Sequence, residues 1–165
     1  MVTLLGVPII GFLLIIQTAV ISRLKLLEGT GDLILLFVIA WALQGRVRSA
    51  WQWAIIAGVL VSLVTALPYF IALAGYLTIT LMARLLQHQV WQTPILAMFV
   101  TTFVGTVVFH LLSISGLALA GTTLPIQESL TLVTLPSALI NLILALPVYT
   151  VVSDLSNWAY PAEEV

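Results

Sequence analysis

The 165-residue chain has no cysteine. Disulfides, cysteine-ligated zinc, iron–sulfur clusters and thiol catalysis are thereby excluded, while the compartment stays open. Charge is almost missing too. Five Lys and Arg and six Asp and Glu make up 7% of the residues, where soluble domains carry about 25%. A net charge of −1 offers no electrostatic basis for a general affinity for nucleic acid. Histidine is confined to His88 and His110, and they do not form a metal-binding pair. There is no Gly-rich phosphate loop, no Gly-x-Ser-x-Gly, no His-Glu-x-x-His and no carboxylate pair inside an apolar stretch. Catalysis, a resident metal and a cofactor are therefore not expected.

What fills the chain instead is hydrocarbon. Hydrophobic residues make up 62% and the mean hydropathy is +1.23. A chain this small has too little interior to hide that much apolar surface from water. The composition points to an all-α integral membrane protein with lipid as its outer solvent.

The few charges divide the chain, because burying one at the bilayer centre costs about 2.5–3.5 kcal/mol on insertion scales. The neutral runs between them predict six spans, near 4–21, 32–44, 50–66, 70–86, 94–119 and 132–152, followed by a short polar tail over 153–165. Pro68 separates the third span from the fourth. Gly116, Gly121, Thr122, Thr123 and Pro125 mark the loop after the fifth. The second span is short and must borrow flanking residues, tilt little or be shielded by neighbours. No Lys or Arg precedes Arg23, so residues 1–22 lack the basic start of a secretory signal and read as a retained helix. Arg46, Arg48 and Arg84 fall on the side shared by both termini, against Arg23 and Lys25 on the other. That bias predicts cytoplasmic termini.

Polar and small residues recur within the spans at steps of four. Ala54, Gly58, Ser62 and Ala66 form a small-residue face on span three, suited to close helix approach or a partner contact. Ser137, Asn141, Ala145 and Tyr149 share a face of span six. Pro136 opens that helix and Pro147 is expected to kink it. Asn141 is expected to bridge to backbone groups that the prolines leave free, or to other spans. Thr102, Thr106 and His110 line span five, and the histidine reads as a structural hydrogen bonder. Gln17 reads as a helix-to-helix hydrogen bonder, and Asp32 as the cap of span two.

Together these pieces resemble the MreD family of bacterial rod-shape-determining membrane proteins. The resemblance rests on Gln17, the Arg23-Leu24-Lys25 stretch, Gly31-Asp32-Leu33, Ala57-Gly58-Val59-Leu60, the run from Leu135-Pro136-Ser137 to Asn141, and Pro147-Val148-Tyr149. It covers most of residues 4–152. The chain departs from the family pattern at Gly31, where the family usually has Pro, at Ser62, where it usually has Asp, and in an acidic end with Asp154, Glu163 and Glu164. The resemblance implies a non-catalytic adaptor in the bacterial cytoplasmic membrane. Its implied partners are an MreC-like bitopic protein, a RodA-like glycosyltransferase, a class B penicillin-binding protein, the actin-like MreB filament and membrane lipids. Together they direct peptidoglycan synthesis along the side wall. The family fold is thought to be similar to the S-components of energy-coupling-factor transporters, which supplies the alternative, a vitamin-binding transporter subunit. Such a subunit should carry Ala-x-x-x-Ala on its first span, where this chain has Gly6 and Gly11.

Overall fold

The computed structural model describes residues 2–89, 93–122 and 125–161. Thr123, Glu163, Glu164 and the side chain of His88 lie outside that description. The chain is almost entirely helical, with α1 (Gly6–Ala19), α2 (Leu33–Leu43), α3 (Ala50–Ser62), α4 (Tyr69–Gln89), α5 (Pro94–Leu119), a one-turn α6 (Ile126–Glu128) and α7 (Leu135–Ala159). Four helical stretches, 3–23, 69–87, 94–119 and 126–159, are long and apolar enough to cross a membrane. That makes this a multi-pass helical membrane protein.

The two short helices behave differently from the rest. α2 rises only about 16 Å and α3 about 20 Å, at 1.5 Å per residue. Every side chain of α2 from Ile34 to Leu43 is buried. It packs against α7, α4, α5, α3 and α1. An all-apolar helix can sit at the centre of a bundle because no face has to meet water. Of the three ways of accommodating this short helix, shielding by neighbours is the one observed. Phe37 and Trp41 stack with each other and with Trp53 of α3, the two indoles being 4.3 Å apart.

A two-stranded hairpin, β1 (Lys25–Leu26) and β2 (Gly29–Thr30), precedes α2. It presses against the start of α7. A Cβ on Gly29 would lie 2.6 Å from the Ser137 nitrogen, so only glycine fits there. The six residues before α7, Ser129–Thr134, form a π-helix. Pro136 stands in the first turn of α7, as the sequence suggested. α7 nevertheless continues without a break from α6 and the π-helix before it, in one helical stretch that begins at Ile126. Having no N–H, Pro136 leaves the Leu132 carbonyl free. The Glu28 N–H of the hairpin donates to that carbonyl at 3.1 Å.

Two boundaries move. The third span ends at Ser62, so Ala66 drops out of the small-residue face and is exposed. α7 runs through Pro147 and on to Ala159, so the start of the expected polar tail is helix. Docking explains the extension. Ser156 is buried, Asn157 accepts a hydrogen bond from Arg46 at 3.0 Å, and the Tyr160 hydroxyl lies 2.9 Å from that of Ser49. Thr3 donates to Gln52 at 2.9 Å. Both ends of the described chain thus meet the start of α3, at the end of the bundle that holds Arg46, Arg48 and Arg84.

Candidate functional site

The polar residues singled out in the sequence converge on one place, the N-terminus of α2. A helix begins with backbone N–H groups that have no partner within it, and in an apolar interior each must be satisfied by something else. Here side chains do it. Asp32 is the N-cap, and its Oδ1 accepts from the Leu35 N–H at 2.9 Å. Gln17 of α1 accepts from the Leu33 N–H through Oε1 and donates to the Gly31 carbonyl through Nε2, both at 2.7 Å. Asn141 of α7 accepts from the Asp32 N–H through Oδ1 at 2.7 Å. One turn earlier, Ser137 accepts from the Thr30 N–H at 3.0 Å.

Asn141 is completely buried, and its other end is used as well. Its Nδ2 donates to the Thr106 hydroxyl at 3.0 Å. That hydroxyl in turn donates to the Thr102 carbonyl at 2.8 Å. The order of donors selects the residue type. Thr106 has already given away its proton, so its partner must donate, while the Asp32 N–H needs an acceptor. An amide side chain offers both, and a carboxylate would not. Thr106 lies midway along α5, so this cluster sits well inside the bundle. The bridging expected of Asn141 is present, but its partners are a helix N-terminus and a threonine, not proline-freed carbonyls. Pro147 faces outward and takes no part in the cluster.

The remaining candidates lie on a separate contact. Ala54, Gly58 and Ser62 are buried on one face of α3. A Cβ on Gly58 would come within 2.8 Å of the Leu73 Cα, so this glycine lets the backbones of α3 and α4 approach closely. The Ser62 hydroxyl donates to the Val59 carbonyl of its own helix at 2.6 Å.

Sequence reasoning missed two parts. Thr106 was seen only as one of a row. Arg84 was read for orientation alone, yet it closes the opposite end of α2. Its guanidinium donates to the Val47 carbonyl, to Gln87 Oε1 at 2.8 Å and, at 3.5 Å, to the Gln44 carbonyl. A cation at a helix C-terminus is favoured by the macrodipole and satisfies otherwise unpaired carbonyls. The available signal was a single arginine near the end of a long apolar run.

The arrangement positions helices. Among the described residues no three His, Asp or Glu side chains are grouped to hold a metal ion. Comparison with protein-family models, curated proteins and solved structures gives no match for this chain.

Proposed function

We propose that this protein is a non-catalytic adaptor of the bacterial cell-elongation machinery. In this reading it is a six-span bundle in the cytoplasmic membrane with both termini inside the cell. It helps organise side-wall peptidoglycan synthesis together with MreC-like, RodA-like and class B penicillin-binding proteins and, directly or through them, the MreB-like filament.

One observation supports the reading above others. Several of the residues that carry the resemblance to the MreD family, Gln17, Gly31-Asp32-Leu33, Ser137 and Asn141, are up to 124 positions apart in sequence but meet around one helix terminus. A pattern whose members build one joint is a structural specification, and apolar composition alone does not produce it. The joint uses its polar groups internally, as a scaffold does.

The test is recovery of partners. Affinity purification of the full chain in mild detergent should co-purify the cell-wall synthases. Recovery of an ATPase module in their place would reject the adaptor reading and favour the transporter subunit.

A further inference from the structure

A second feature of the fold is unrelated to the α2 joint. Between α5 and the π-helix lies a pocket of about 280 Å³ that opens on the surface of the bundle. Apolar cavities of about 150 Å³ already take up benzene, and ligand pockets begin near about 300 Å³. Its walls are mostly hydrocarbon, from Leu67, Phe109, Ile114, Leu117 and Val133. Its polar lining is His110, Ser113, Ser129 and Thr134, with no charged residue among the lining side chains.

The π-helix shapes this lining. Ser129 and Thr134 are five residues apart, the π repeat, and the Thr134 hydroxyl lies 3.3 Å from the Ser129 carbonyl. His110 Nδ1 lies 3.1 Å from the same Thr134 hydroxyl. Ser113 is spent on the Phe109 carbonyl at 2.8 Å. Two polar groups of the lining are left without a hydrogen-bond partner among the described residues, His110 Nε2 and the Ser129 hydroxyl. The residues next to the lining, Leu111, Leu132 and Leu135, are exposed leucines, so the surroundings belong to the lipid-facing surface.

We propose that this pocket binds a hydrocarbon chain bearing one uncharged oxygen group, with the chain against Leu67, Ile114, Leu117 and Val133 and the oxygen accepting from the Ser129 hydroxyl. His110 donates through Nδ1 to Thr134, whose proton is on the Ser129 carbonyl, so its Nε2 accepts from the ligand where the oxygen is a hydroxyl. A charged headgroup inside the pocket would find no counter-charge. The same chemistry occurs in an acyl chain beside its glycerolipid ester and in a free long-chain alcohol. The proposal does not depend on which partners the protein has.

The test is photolabelling of the full chain. A diazirine-bearing hexadecanol is used in mild detergent, and a phosphatidylglycerol with a diazirine in its acyl chain is used in lipid nanodiscs. Labelled positions are read by peptide mapping. Label is expected on residues 109–117 and 129–134, and excess hexadecanol should displace it. Hexadecane should compete about fivefold less well, the worth of one hydrogen bond of about 1 kcal/mol. His110→Leu should erase most of that preference while keeping the label, because it removes the polar contact and leaves the space apolar. Ser113→Phe should fill the pocket and abolish the label, with its thermal unfolding in detergent checked in parallel. If Ser113→Phe does not fold, the competition and His110→Leu arms decide. Capture of one probe alone names the source of the chain, and either capture supports the site. The proposal is overturned by label spread equally over Phe103 and Ile143 on the outer surface, by displacement that does not discriminate hexadecanol from hexadecane, or by no capture.

Discussion

At the scale of the residue, Asn141 shows how a buried amide can specify a fold. It accepts from one helix terminus and donates to the middle of another helix. Asn141→Leu leaves the Asp32 N–H without a partner. An orphaned buried donor costs about 1–3 kcal/mol. Interhelical hydrogen bonds measured in membranes average about 0.6 kcal/mol, so the lower part of that range is expected. Insertion should be normal, since hydrophobicity rises, while the unfolding temperature in detergent falls. An unchanged unfolding temperature would show that the bond contributes nothing to holding α7. Asp32 separates cap from charge. Asp32→Asn keeps an oxygen for the Leu35 N–H and should cost only about a few tenths of a kcal/mol, whereas Asp32→Leu should cost roughly 1 kcal/mol. Equal losses in the two variants, read by the same unfolding assay, would mean that the carboxylate acts by its charge.

Elements in this bundle are held at their ends. α2 is apolar all round, so its side chains alone do not fix where along the bundle axis it sits. Its N-terminus is fastened by Gln17, Asp32 and Asn141 and its C-terminal side by Arg84. Arg84→Met keeps most of the stem and removes the donors to Gln44, Val47 and Gln87. The loop between α2 and α3 should then loosen, seen as faster hydrogen exchange over residues 44–49 with little change in α5. A uniform change along the whole chain would instead indicate global destabilisation. The α3–α4 contact depends on the missing side chain at Gly58. Gly58→Leu drives atoms into the Leu73 backbone, and overpacking of this kind costs about 1–3 kcal/mol. Gly11, with open space around it, is the matched control, and Gly11→Leu should leave detergent stability unchanged.

On the scale of the whole molecule, the apolar outside and the two polar ends define orientation. Side chains such as Phe12, Ile15, Phe103, Ile143 and Val151 are exposed and form a surface suited to lipid. Arg48 and Asp154 belong to the end where both described termini meet α3, and Glu28 and Glu128 to the hairpin end. A cysteine-free chain makes this directly measurable. Single cysteines at positions 48 and 154 should react from one side of the membrane, and those at 28 and 128 from the other. Protection of 48 and 154 from an impermeant reagent added outside intact cells would place the termini in the cytoplasm. Labelling of 154 together with 128 from the same side would break the bundle topology.

Solvent and period were legible in the linear chain. The near-absence of charge requires lipid, and the charge-free runs locate α1, α4, α5 and α7 because a charge at mid-bilayer is costly wherever the fold places it. Asp32 was legible as a cap because capping is local, acting over three residues. The small-residue step of four made a face on α3 visible, but not its partner, since Gly58 carries no information about Leu73. Pro136 was legible as the opening of α7, but the helical turns before it were not, because a proline reports only its missing N–H. Whether that position starts a helix or interrupts one depends on what takes the freed carbonyl, here Glu28 from 104 residues away. The stretch from Asp154 read as a polar tail because its composition is polar, and its docking on Arg46 and Ser49 is long-range. Only the tertiary structure decided that Gln17, Asp32, Thr106, Ser137 and Asn141 form one joint. Each of these side chains has a hydrogen-bonding capacity readable from its type, whereas its partner is set by which helices adjoin and at what depth.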